Sequence, residues 1–289
     1  MKETQALHFT KMHGLGNDYL YVFADEVPAN IEELSIKYSD RHFGVGSDGI
    51  ICILPSKVAD FHMRIFNADG SEAMMCGNGI RCVGKYVYDK GHTDKTTVTI
   101  ETKSGIKTLE LKLGDDGKVA LVSVEMGQAV IGEPVIASAS CGYFYDEVTQ
   151  SFGPSKRDHD EFPLLPVDMG NPHAVIFCNN AEKVDIEKVG PALERCGEFP
   201  EGVNVEFVQV LGKNELRMRV WERGSGVTMA CGTGSCASVA AAIWAHKCTR
   251  NSDVTVHLDG GDLLVSIDLD NNVTMTGPAA FICDGVTIE

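Results

Sequence analysis

The chain has 289 residues, of which 44% are hydrophobic and 23% charged, a globular balance with room for one large domain or two of ordinary size. Its net charge of −16 argues against binding a phosphate backbone or an anionic membrane surface, and no run of about 18 apolar residues reads as a membrane span. The N-terminal MKETQALHFTKMHG lacks an apolar core of signal-peptide length, so a cytoplasmic protein is expected, whose ten cysteines stay thiols rather than forming a disulfide framework.

In chain order, Leu7–His13 and Tyr19–Ala24 read as strands joined by a glycine turn around Asn17. A short helix over Ile31–Arg41 follows Pro28. Ile50–Leu54 and Phe61–Phe66 are strands, and the second runs into FNADGSEAMMCGNGIRC (Phe66–Cys82). There Cys76 precedes Gly77-Asn78-Gly79, and Ile80, Val83 and Val87 recur at helical spacing, which predicts a helix over Gly77–Lys90. Thr97–Lys103, Ile106–Leu113 and Val119–Met126 alternate apolar and polar residues, as half-buried antiparallel strands do. Ser138–Glu161 has weak periodicity and reads as a loop or hairpin insertion.

The second half repeats this order. His173–Cys178 is a strand, and Val184–Cys196 is helical, with Pro191 expected to end or bend it. Val203–Leu211 and Glu215–Trp221 are strands. VWERGSGVTMACGTGSC (Val220–Cys236) then matches the first cysteine stretch, Cys231 facing Cys76 and Gly232-Thr233-Gly234 facing Gly77-Asn78-Gly79. The helix predicted over Gly232–His246 is apolar nearly all round, so it belongs in an interior, as the central helix of a barrel-like sheet. Val254–Leu258, Leu263–Leu269 and Val273–Thr276 are strands, and Phe281–Glu289 has strand character.

Self-similarity of this kind signals duplication. The expected fold is α+β: two pseudo-symmetric domains, residues 1–126 and 127–276, with residues 277–289 joined to the first on the strength of the family resemblance described below. Each is a barrel-like, mainly antiparallel sheet around a central helix, with the active site in the cleft between them. A thiol at a helix start meets backbone N–H groups and the positive end of the helix dipole, which lower its pKa and favour thiolate near neutral pH. Two such thiols suit proton transfer at one carbon from opposite faces, one as base and one as acid. The N–H groups of Gly77, Asn78, Gly232 and Thr233 suit the charge that develops on an adjacent carboxylate. No lysine stands in a motif, so pyridoxal phosphate is not suggested.

Blander readings exist for each residue. Zinc is one, but of Cys76…Cys82 and Cys231…Cys236 only the second has C-x₂₋₄-C spacing, and each second cysteine falls inside its helix. The site is therefore expected to hold no metal. Cys82 and Cys236 read as core positions. By position alone, His173 passes for a core histidine, Glu222 and Arg223 for surface ion-pair partners, and Asn17, Asn67, Asn171 and Asn204 for turn residues.

The paired cysteine stretches, with MHGLGND (Met12–Asp18), GNPHAV (Gly170–Val175) and GVNVEF (Gly202–Phe207), resemble the diaminopimelate epimerase family from about Phe9 to Gly277. The resemblance implies a cofactor-independent homodimeric isomerase that interconverts LL- and meso-2,6-diaminopimelate, a step toward lysine and peptidoglycan precursors. It implies Cys76 and Cys231 as the proton-transfer pair, with His173 and Glu222 assisting their protonation. Asn17, Asn67, Asn171, Asn204 and Arg223 match the family's substrate contacts. At Ser47-Asp48-Gly49 some members carry Phe-Asp-Gln, so no substrate contact carries over to that loop. Proline-racemase-like proteins also pair cysteines, but with His after Cys-Gly, where this chain has Asn78 and Thr233. A binding or redox protein built on the same repeat is the rival from another class, and solvent-deuterium exchange at the substrate α-carbon separates the two.

Overall fold

The computed structural model describes residues 6–288. The first five residues of the N-terminal stretch read above, and Glu289 at the end of the strand-like tail, lie outside the described residues. The chain forms two compact units, Met1–Glu125 with Thr276–Glu289, and Met126–Met275. Their described helices are α1 (Ile31–Ser39) and α2 (Gly77–Asp89) in the first unit and α3 (Ile186–Glu194) and α4 (Gly232–Trp244) in the second.

In the first unit, His8–Gly14 and Asn17–Phe23 form a hairpin with Gly14 opposite Asn17. Its two turn residues, Leu15 and Gly16, both have positive φ, 57° and 86°, as a tight primed turn between twisted strands requires. That turn places Asn17 at the head of its strand. Asn17–Phe23 then runs parallel to Gly49–Leu54, which pairs antiparallel with Phe61–Asn67. Phe61–Asn67 runs parallel to Thr97–Thr102, and Gly105–Leu113 and Val119–Gln128 follow antiparallel. Gly49–Leu54 reads GIICIL and is buried at every position. Ile50, Cys52 and Leu54 belong to the cluster that packs with Ile31 of α1, while Ile51 approaches Gly79 of α2. A strand covered on both faces has no polar phase to show.

The second unit repeats this pairing strand for strand. Asp160–Asp168 is antiparallel to Pro172–Phe177, which runs parallel to Asn204–Gly212. That strand is antiparallel to Glu215–Glu222, itself parallel to Val254–Leu258, which is antiparallel to Gly261–Ile267. Even the short strands Glu72–Ala73 and Gly226–Val227 occupy matching places. Within this unit α4 packs against six strands, and all its residues except Thr233 and Trp244 are buried. Its buried serines return their hydroxyls to the helix, Ser235 to Cys231 O and Ser238 to Gly234 O, so no polar group is left to solvate.

Three features of the second unit refine or add to the sequence reading. Pro191 lies within α3 rather than ending it, and a 3₁₀ turn at Ala181–Lys183 precedes that helix. The insertion is a hairpin, Tyr143–Asp146 with Ser151–Pro154, held to the core through the ring contacts Tyr145–Phe152, Phe152–Phe162 and Phe152–Phe207. The strand Asp160–Asp168 escapes a sequence reading because Pro163 and Pro166 interrupt its pattern.

Candidate active site

Each unit carries one half of the predicted site, built in the same way. Cys76 is the N-cap of α2, with extended backbone, and its Sγ accepts the Gly79 N–H at 3.3 Å. Cys231 is the N-cap of α4, also extended, and its Sγ accepts the Gly234 N–H at 3.3 Å. A side-chain acceptor at N-cap takes up one of the N–H groups that a helix start leaves without an intrahelical partner. Gly77-Asn78 and Gly232-Thr233 form the first helical residues beside the two sulfurs, where a carboxylate is stabilised by N–H groups and dipole together.

Around Cys76 the chain gathers polar groups from the hairpin and from the loop before Gly49. The thiol donates to Asn17 Oδ1 at 3.3 Å, and Asn17 Nδ2 donates to Asp48 at 2.6 Å. Asp48 also accepts the Asp18 N–H and pairs with Arg41, which bridges to Asp18. Asp48 thus orients the Asn17 amide: with Nδ2 on Asp48, Oδ1 must face the thiol. The sequence left the Ser47-Asp48-Gly49 loop without a role, and its contact is with Asn17. Tyr19, also missed, adjoins Asn17 and Cys76; burial first and the thiol second push its phenol well above the ordinary range. Asn67 ends its strand and donates to Ser71 Oγ. Asn78 is buried.

Around Cys231 the groups are acidic and deeper. Burial, then Glu222 and Glu206, push the Cys231 thiol well above its ordinary range, and the Gly234 N–H and Thr233 oppose this only in part. This corrects the expectation that the helix start yields a thiolate here: desolvation and two carboxylates outweigh one N–H and the dipole. Burial also raises Glu222, against hydrogen bonds from Thr228 and Cys231. His173 is buried between Glu206 Oε1, 2.6 Å from Nδ1, and Asn171 Oδ1, 3.1 Å from Nε2, and Asn171 Nδ2 reaches Thr233 Oγ1 at 3.4 Å. Asn204 is committed at both ends, donating to Pro172 O and accepting the Arg223 N–H, so it fixes the backbone that presents Arg223. Arg223 itself is exposed, its guanidinium donating to Glu201 O and Gly202 O at 3.3 and 3.4 Å. Glu206 was missed. Its signal is a lone carboxylate inside the buried run Asn204–Val208.

Comparison with known proteins gives the family. The family model described as diaminopimelate epimerase matches residues 9–132 and 165–282. Curated relatives of that name are 49% identical in Acetivibrio thermocellus (96% of this chain, 98% of the relative) and 50% in Agathobacter rectalis (96% and 98%). A third, in Methanococcus maripaludis, is 49% identical (96% and 99%). The chain belongs to the diaminopimelate epimerase family. It is an enzyme, an isomerase of the epimerase type. The stretch 133–164, which lies between the two matched ranges, holds the Tyr143–Pro154 hairpin. Among solved structures, a phenazine biosynthesis protein of the PhzF family from Bacillus anthracis is similar with a TM-score of 0.74 at 17% identity, covering 99% of this chain and 100% of that one. A hydroxyproline epimerase from Agrobacterium vitis gives 0.70 at 15%, covering 99% and 94%. At such identities the likeness is one of fold, and these structures share the two-domain α+β architecture with the diaminopimelate epimerase family.

Proposed function

We propose that this chain interconverts LL- and meso-2,6-diaminopimelate by moving one α-proton between two thiol groups, in the route to lysine. One observation carries the reading: two cysteines at equivalent helix starts, each accepting the N–H three residues on at the same 3.3 Å. In one direction the thiolate of one cysteine takes the α-proton while the thiol of the other returns a proton to the opposite face. In the reverse direction the roles exchange. The carboxylate attached to the reacting carbon lies on the N–H groups of Gly77, Asn78, Gly232 and Thr233 as charge develops on it. Asn17, Asn67, Asn171 and Asn204 serve the amino and distal carboxylate ends, Asn204 by fixing the backbone that presents Arg223. Arg223 takes the distal carboxylate. Glu222, hydrogen-bonded to Cys231, exchanges the thiol's proton. No organic cofactor or metal is required by these steps. The reading extends to a homodimer working in the cytoplasm.

The test is deuterium incorporation at the α-carbon when the purified protein meets LL-diaminopimelate in D₂O, with Cys76→Ala and Cys231→Ala in parallel. Wild type exchanges and epimerises, and each alanine variant stops epimerising. Near-normal turnover in either variant would sink the two-thiol reading, and absence of exchange by wild type would favour a binding protein.

A further inference from the structure

We propose that Glu206 is a positioning residue of the Cys231 half-site, fixing His173 in the form that donates from Nε2 and, through it, the orientation of the Asn171 amide. This rests on the half-site assigned to Cys231 above. The strand Asn204–Gly212 is buried from Asn204 to Val208, with Glu206 as its charged member. A carboxylate taken out of water needs a partner. The Glu206 and His173 side chains are both 0% exposed, and Oε1 stands 2.6 Å from Nδ1. Oε2 is buried and makes no hydrogen bond among the described residues, so the imidazole is the anchor for this carboxyl group.

Donor counting gives the rest. At 2.6 Å, a proton must lie between Oε1 and Nδ1. Nε2 faces Asn171 Oδ1 at 3.1 Å, an acceptor with no proton of its own, so Nε2 carries a hydrogen too. That donation claims Oδ1 and turns Nδ2 toward Thr233 Oγ1 at 3.4 Å, in the first turn of α4 and beside Cys231. An asparagine amide has two nearly isosteric orientations, and here the choice between them is made by Glu206, two side chains away. Without the carboxyl group a neutral imidazole holds a single proton on either nitrogen, and half of those arrangements set a bare Nε2 against Oδ1. The glycine pattern of the helix start fits the same role. A Cβ on Gly234 would stand 2.8 Å from Glu206 Oε1 and 3.2 Å from Cys231 Sγ, so carboxylate and thiol crowd onto one glycine. Glu222 and Cys231 each feel the Glu206 charge.

The experiment uses the full chain labelled with ¹⁵N at histidine. Glu206→Leu removes the hydrogen bond, and Glu206→Gln keeps a hydrogen-bonding amide toward Nδ1 while losing the charge. The expected results are an Nε2 of His173 that is protonated in wild type and Glu206→Gln, and mixed between the two tautomers in Glu206→Leu. With them go a fall of kcat/KM for LL-diaminopimelate by about 10- to 100-fold in Glu206→Leu, the scale for losing an orienting partner, and recovery of most of it in Glu206→Gln. A folded Glu206→Leu protein with wild-type kcat/KM and a wild-type Nε2 resonance overturns the proposal. So does a Glu206→Gln protein as slow as Glu206→Leu whose Nε2 is still protonated, since charge and not position would then matter. If Glu206→Leu does not fold, the Nε2 resonance of Glu206→Gln decides alone, and a bare Nε2 there overturns the proposal. An active Cys231→Ala variant, with the His173 resonances responding as stated, would remove the half-site reading and leave the positioning role standing.

Discussion

Cys231 separates what a helix start offers a thiol from what the surrounding interior takes away. Its sulfur accepts the Gly234 N–H, yet burial and the charges of Glu222 and Glu206 hold it protonated well above the usual thiol range. A group whose folded pKa lies above its unfolded value gives stability that is intact below the unfolded pKa and fades as pH rises toward the folded one. Wild type is therefore expected to lose stability between pH 8 and pH 10, around the ordinary thiol value of 9.0, more steeply than Cys231→Ala. The cavity left by alanine shifts the whole curve but not its slope. Urea midpoints across that range give the comparison, and parallel curves would mean that Cys231 ionises as freely in the folded protein as in the unfolded one. Arg223 poses the opposite case. Exposed, and held by two long contacts to Glu201 O and Gly202 O, it is free to swing onto a distal carboxylate at small cost. Arg223→Met should cost diaminopimelate about 1.5–3 kcal/mol in kcat/KM, the worth of a hydrogen bond to a charged group, and leave the slow turnover of L-lysine unaltered. An unchanged ratio of the two substrates in Arg223→Met would remove the distal-carboxylate role. Arg223→Lys should recover part of the loss, because ammonium lacks the planar fork.

At the scale of elements, α4 is the part of the fold most tightly prescribed. Ala240, Ala241 and Ala242 are at most 2% exposed, and six strands press on the helix, so every side of it is a packing surface. Ala241→Leu should destabilise the protein by about 1–3 kcal/mol through overpacking, read as a lower urea midpoint. A gain in stability would mean that the barrel interior has slack. This helix was legible because small apolar residues on all sides, after Cys-Gly-Thr-Gly, leave no solvent face to assign. The alternating strands of the first unit were legible for the converse reason, as one of their faces meets water. What escaped depends on partners distant in sequence. Asp160–Asp168 pairs on two sides despite Pro163 and Pro166. Glu206 looks like a misplaced charge until His173 arrives from the neighbouring strand. Asp48 has no evident purpose until the Leu15-Gly16 turn brings Asn17 to it. The cysteines themselves were visible as a pair, but the protonation of Cys231 was not, because desolvation belongs to the tertiary structure and not to the motif.

Over the whole molecule, the chain begins and ends in one unit, and the second unit is a continuous segment between. Ala280–Val286 closes the first unit by pairing with His8–Gly14, and Thr287 and Leu7 exchange hydrogen bonds at 2.9 Å. Asp284 adds bonds to Thr10 and Lys90. Most of this strand's side chains are exposed or half-exposed, so what it supplies is chiefly ladder hydrogen bonds and cover for the edge of His8–Gly14. A chain shortened to end at Gly277 uncovers that edge, which carries unpaired N–H and C=O groups and invites association with other chains. Since local openings follow cooperative units, the shortened chain should lose amide-exchange protection in His8–Gly14 and Asn17–Phe23 and stay protected in Pro172–Phe177, Asn204–Gly212 and α4. Hydrogen-exchange mass spectrometry of the full and shortened chains reads both units in one experiment. Activity should fall with it, because Asn17 is held at the head of the strand next to the uncovered one and is the group that faces Cys76. Equal loss of protection in both units would show that the two fold as one cooperative body. Unchanged protection in His8–Gly14 would show that the hairpin holds its edge without the returning strand.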